Sequence, residues 1–245
     1  MVEQYVPKGE RVLSLSGTAD AYTSREILVS YEAAFNEVLT DIVNTGWVSS
    51  YQPRVLQRFQ FPERQGRRFR LEQTAQGHPL EQWSVSELRF FDHGVELPRR
   101  PEWRLTAHPN PWDVQLAFDN SPATRWRSWE QAWPGMYIEV DFRKNEPIDE
   151  VRIERSWDYN LELQFKVMDE SGSWRTIGEN PEAATVEENP NIRRYATREL
   201  AARGIHYFLV LDDNAGADDF SGDPEGWGLA QIARGYGARL YRVLP

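Results

Sequence analysis

Five aromatic side chains and one guanidinium fall in segments whose turn residues hold them outside regular structure. Trp112 sits in Asn110-Pro-Trp-Asp113, and Trp129 and Trp133 in Ser128-Trp-Glu-Gln-Ala-Trp-Pro134 with Arg127 just ahead. Trp157 lies in Arg155-Ser-Trp-Asp158 with Tyr159 beside it. An indole can stack on the C–H face of a pyranose while polar neighbours take the hydroxyls. His108, Arg127 and Asp158 are such neighbours. The chemistry these residue types suggest is carbohydrate binding, on a face made of Trp112, Arg127, Trp129, Trp133, Trp157 and Tyr159. The same side chains can instead pack against a second domain, because an inserted domain needs an interface. For any single Trp packing is the commoner role; for the group a ligand face is favoured.

Other candidates carry less. The acidic run from Asp212 to Asp223 lacks the alternating ligand register of an EF-hand and reads as a solvated loop after a strand. Strand ends of this kind also bind ligands in α/β domains, so a minor site stays open there. His78, His93, His108 and His206 show no metal-ligand spacing, and His206 opens a strand expected to be buried. There is no H-E-x-x-H, G-x-S-x-G, phosphate loop or dinucleotide fingerprint, and nothing fixes two carboxylates as a glycosidase pair. No catalytic residue is expected.

The elements that must position these groups can be read from periodicity. Tyr31, Ala34, Phe35, Val38, Leu39 and Ile42 form one face of a helix ending near Asn44-Thr-Gly46. Short strands are expected at Arg11-Val-Leu-Ser-Leu15 and Ile27-Leu-Val29. From Val55 the period becomes two, through Val55/Gln57/Phe59/Phe61, Phe69/Leu71, 85–91, Ile138/Val140/Phe142, Val151/Ile153 and Leu161/Leu163/Phe165/Val167. Such spacing predicts an antiparallel sandwich. Past residue 190 a helix is expected over Thr197–Arg203, a doubly buried strand over Ile205–Leu211, a helix over Trp227–Arg234 and a strand over Ala238–Val243. The fold class is therefore two-domain α+β: an antiparallel jelly-roll sandwich, residues 51–189, inserted into a small α/β domain with a mainly parallel sheet, residues 1–50 and 190–245.

Composition narrows the partners. The 245 residues include ten Trp, no Cys and a net charge of −10. An acidic chain is a poor match for nucleic acid or an anionic membrane surface, and without Cys there are no disulfides or thiolate sites. The longest apolar run, Tyr207–Leu211, is too short to cross a bilayer, and no secretory signal is expected in the opening residues.

Ala117-Phe-Asp-Asn-Ser-Pro-Ala-Thr-Arg-Trp126, followed by Gly135-Met-Tyr-Ile-Glu-Val-Asp-Phe142, resembles the opening half of a discoidin-type module, the coagulation-factor type C, galactose-binding-like sandwich. Residues resembling its closing half, Arg67–Thr74 and Trp83–Phe91, stand upstream, so the resemblance implies a circularly permuted module. It also implies that Trp83 and Trp126 are core residues. It implies further a cation site, Ca²⁺ in kind, from Asp119 and Thr124 with Ser121 and the Ala117 carbonyl; Asn120 and Ser121 depart from the family's usual residues there. Metal-free capping of the turn by Asp119 is the alternative. The chain ends (Val6-Pro-Lys-Gly9, Tyr22-Thr-Ser-Arg25, Leu200–Val210 and Leu240–Val243) resemble the soluble domain of bacterial membrane glycosyltransferases. The two resemblances together imply a non-catalytic, extracytoplasmic accessory domain binding carbohydrate or lipid-linked glycan beside a membrane-embedded parent segment. The other reading is a protein-interaction module with no sugar ligand.

Overall fold

The computed structural model describes residues 1–17, 23–48, 54–79, 82–155, 161–187 and 189–244. Two compact units emerge: Met1–Tyr51 with Asn189–Pro245, and Gln52–Glu188. The chain enters through α1 (Val2–Tyr5), β1 (Arg11–Ser14), β2 (Glu26–Val29) and α2 (Ala34–Val48). The second unit runs through β3 (Val55–Gln73), β4 (Gln82–Val85), β5 (Glu87–Asp92), β6 (Val95–Glu96) and β7 (Arg104–His108). It continues with β8 (Trp126–Gln131), β9 (Tyr137–Arg155), β10 (Leu163–Met168), β11 (Trp174–Gly178) and β12 (Glu182–Thr185). The chain then returns as α3 (Ile192–Ala202), β13 (Ile205–Leu211), α4 (Ala217–Gly222), α5 (Pro224–Trp227), β14 (Leu229–Gly235) and β15 (Ala238–Val243). The architecture is the expected two-domain α+β class.

The first unit's sheet has the order β14-β15-β13-β1-β2. β1 lies parallel to β2 and β13, while β15 pairs antiparallel with β13 and β14, so the sheet is mixed. The helix expected over Trp227–Arg234 is not formed. Gly228 at φ 66 stops α5 after one turn, and the chain leaves as β14. Tyr236 and Gly237, both at positive φ, then make a tight hairpin into β15. Cross-strand pairing outweighs the helical spacing of a short apolar run. Conversely, α2 runs on through Gly46 to Val48. Gly46 is there for close packing: a Cβ would lie 2.5 Å from the Trp227 ring.

In the second unit β11-β10-β3-β9-β5-β6 form an antiparallel sheet that β12 and β7 extend to eight strands, and β4 pairs with β8 in a small second sheet. Alternation puts Phe59, Phe69, Leu71, Phe165 and Val151 in one core with Trp83 and Trp126 of the small sheet. Those two indoles meet edge to face at 5.1 Å, the favourable aromatic geometry. The β3–β9 register breaks twice. Residues 61–63 face Asp149 alone, and residues 142–145 face Arg67 alone. Such bulges bend the strands and re-aim side chains.

Candidate functional site

β7 delivers the chain to His108, a cis peptide joins it to Pro109, and the loop returns toward β8. Asn110, 4% exposed, pins this loop. Its Nδ2 donates to Asp113 Oδ2 (2.9 Å) and to the Arg127 carbonyl (3.0 Å), while its own carbonyl accepts from Trp126 Nε1 (2.7 Å). Trp112, between two anchored residues, is 79% exposed. Next to it Trp129 Nε1 donates to Asp113 Oδ2 (3.4 Å), and the Arg127 guanidinium lies 4.7 Å from the Trp129 ring centre. Asn110 and Asp113 thus tie the loop that carries Trp112 to Arg127 and Trp129. Trp129 is a strand residue at φ 60, not a loop residue as its sequence setting suggests. Trp133 is half-buried against the sandwich core, edge-on to His108 at 5.4 Å. Trp157, Asp158 and Tyr159 lie outside the described residues.

A second constellation sits at the Asp119 turn. Thr124 Oγ1 donates to both carboxylate oxygens of Asp119 (2.8 Å each), and the Ser121 N–H donates to Oδ1 (3.0 Å). Ala117 is fully buried at the end of a 3₁₀ turn, and Asn120 takes the left-handed conformation (φ 58) that lets the loop double back. The structure adds Glu87, which sequence reasoning passed over. It is 3% exposed, and its Oε1 has no hydrogen-bond partner among the described residues. Burial pushes its carboxyl up to about 8; Arg89 and the Asn120 backbone N–H oppose this, while Asp119 and Glu154 add to it. A cavity of about 20 Å³, room for one water-sized particle, touches Glu87, Phe118 and Asn120. An acid inside the strand segment Trp83–Phe91, between Ser86 and Leu88, was the available signal.

Elsewhere, Glu63, Asp92 and His93 place one ligand atom each within 4.8 Å of one another at the first register break, a set able to coordinate a metal ion. These groups are exposed or half-exposed, and His93 Nδ1 already meets Asp92 Oδ1 at 2.7 Å. The acidic run is used structurally. Asp219 takes two bonds from Arg193 (2.9 and 2.8 Å) and one from Trp227 Nε1 (2.7 Å), and Asp223 caps α5 through the Gly226 N–H. His206 is half-exposed against Glu10, not buried, because it faces outward from an otherwise buried strand.

No family model matches this chain, and neither does any curated protein or solved structure.

Proposed function

We propose that the chain is a non-catalytic carbohydrate- or glycan-binding accessory module whose ligand stacks on Trp112. The observation that carries this is an indole 79% exposed on a loop fixed by three hydrogen bonds through Asn110, a loop that Asn110 and Asp113 tie to Arg127 and Trp129. An open ring face beside donors and acceptors that are already oriented is what sugar recognition requires. Arg127 stacked on Trp129 presents a fixed donor plane.

The Asp119 turn supplies the support for a cation in this reading. Asp119, Glu87 and Thr124 Oγ1, with main-chain carbonyls such as that of Ala117 and the oxygen of Ser121, are hard oxygen donors that suit Ca²⁺. Glu87's unpartnered oxygen and its mutual repulsion with Asp119 are what a cation would relieve. When bound, the ion would neutralise both carboxylates and hold the turn.

The finer family reading, a permuted discoidin-like module, draws support from the pairing of upstream β4 with downstream β8 and from the burial of Trp83 against Trp126. The placement beside a bacterial membrane glycosyltransferase, on the extracytoplasmic side, rests on the motifs at the chain ends. Among the described residues no helix is long and apolar enough to cross a membrane.

Glycan-array screening followed by calorimetric titration of the best neutral saccharide tests the proposal. Trp112→Ala is expected to weaken binding at least tenfold with an unchanged melting temperature. Unchanged affinity would remove Trp112 from the site and the reading with it.

A further inference from the structure

The second register break opens a cleft of about 680 Å³ on the sheet of the second unit, well within the size range of small-ligand sites. Arg67, Arg68, Asp141, Asn145, Met168 and Asp169 line it, with Gly66 behind them. A Cβ on Gly66 would lie 2.6 Å from Val167 Cγ2, so glycine keeps this wall thin.

The charged groups here are fixed in place. Arg67 donates twice to Asp141 (2.8 Å each), and Arg143 adds its backbone N–H (2.8 Å) and Nη1 (3.3 Å). These bonds hold the Asp141 carboxyl well below the usual carboxylate range. Arg68 is held by Glu139 Oε1 (2.9 Å from Nε) and by Met168 Sδ (3.2 Å). Asp169 accepts from the Ser171 hydroxyl (2.5 Å), from the Ser171 and Ser173 N–H groups (2.9 and 3.0 Å) and from Arg175 (2.6 Å); the Ser171 hydroxyl first, then the Ser173 N–H and Arg175, bring its carboxyl to about 2. The lining therefore offers rigid acceptors and donors, with two exposed amides, Gln65 and Asn145, at the rim.

Charge balance selects the ligand. Counting the lining with its ion-pair partners, the guanidiniums of Arg67, Arg68, Arg143 and Arg175 meet the carboxylates of Asp141, Asp169, Glu170 and Glu139. With no positive excess, phosphate or a sulfated chain gains nothing on entry, whereas hydroxyl groups find both donors and acceptors. The Met168 side chain gives a short apolar surface for a C–H face.

We propose that this cleft is a second binding site for a neutral saccharide. The proposal deepens the saccharide reading on residues that the Trp112 loop does not use.

The test uses the full chain with cellobiose, lactose and chitobiose as probes, read by calorimetric titration and backbone amide shifts. In a Trp112→Ala background, residual binding that moves the Gly66 and Gly172 amides is expected, and adding Gln65→Ala and Asn145→Ala should weaken it at least tenfold. Because both amides are exposed, the melting temperature should stay unchanged. Loss of all binding in Trp112→Ala alone would overturn the cleft proposal and leave the loop reading intact. Residual binding indifferent to the amide pair, or displaced by inorganic phosphate, would also overturn it. Wild-type affinity in Trp112→Ala, abolished by the amide pair, would sink the loop reading and keep the cleft. Absence of binding by all three saccharides to the wild type, with both sites intact, would overturn both.

Discussion

Glu87→Gln should flatten the pH dependence of the second unit's stability. The Glu87 carboxyl moves from an ordinary 4.5 to about 8 on folding, chiefly through burial. Because the folded chain holds this proton more tightly than the unfolded one, its contribution is fully present below pH 4.5. It is lost as pH rises toward 8. A difference of about 3.5 pH units corresponds to about 5 kcal/mol. Relaxation of the surroundings of an ionised buried carboxylate lowers the net cost, taken as about 3 kcal/mol. Gln carries no such proton, so the variant should lie within about 1 kcal/mol of the wild type at pH 5 and exceed it by about 3 kcal/mol at pH 8.5. For a domain of this size that is roughly 10 °C in melting temperature. Calorimetry at half-unit steps from pH 4.5 to 9 measures it. Calcium adds a second reading: at pH 8.5 it should raise the wild type's melting temperature and leave Glu87→Gln unmoved. Parallel pH profiles for the two proteins would refute the reasoning, because Glu87 would then not be titrating in a buried site.

Three further outcomes follow from the geometry. Trp83→Ala should destabilise the second unit by about 3–5 kcal/mol in denaturant melts, since it empties the edge-to-face pair with Trp126. Asn110→Ala should cost about 1–3 kcal/mol through the lost loop bonds and weaken saccharide binding along with stability, whereas Trp112→Ala affects binding alone. Gly66→Ala should cost about 1–3 kcal/mol, because the added methyl meets Val167 Cγ2 at 2.6 Å and Phe69 Cζ at 2.7 Å.

Periodicity made the sandwich strands and α2 legible, because each buries one face and so writes its period into the sequence. Leu163, Phe165 and Val167 alternate with Gln164 and Lys166, and β10 buries that face alone. The segment after Trp227 is ambiguous in sequence because a seven-residue run containing Leu229, Ile232 and two alanines fits a helix as well as an edge strand. Only the glycine at 228 and the hairpin beyond it decide the matter. The mixed character of the first sheet has the same origin. At the candidate sites, the turn chemistry around Asn110 and Asp119 could be read locally. Glu87 showed only as an acid within a strand segment, since its burial is set by the fold, and the cleft did not show at all, since it arises from a register break between two long strands.

The most direct test of the central claim is a crystal structure grown with calcium and a mixture of neutral sugars. A pyranose stacked on Trp112 within reach of Asp113 and Arg127 is the predicted result. Trp112 bare of sugar at saturating concentration, while the sugar binds away from both the loop and the cleft or not at all, would contradict the account.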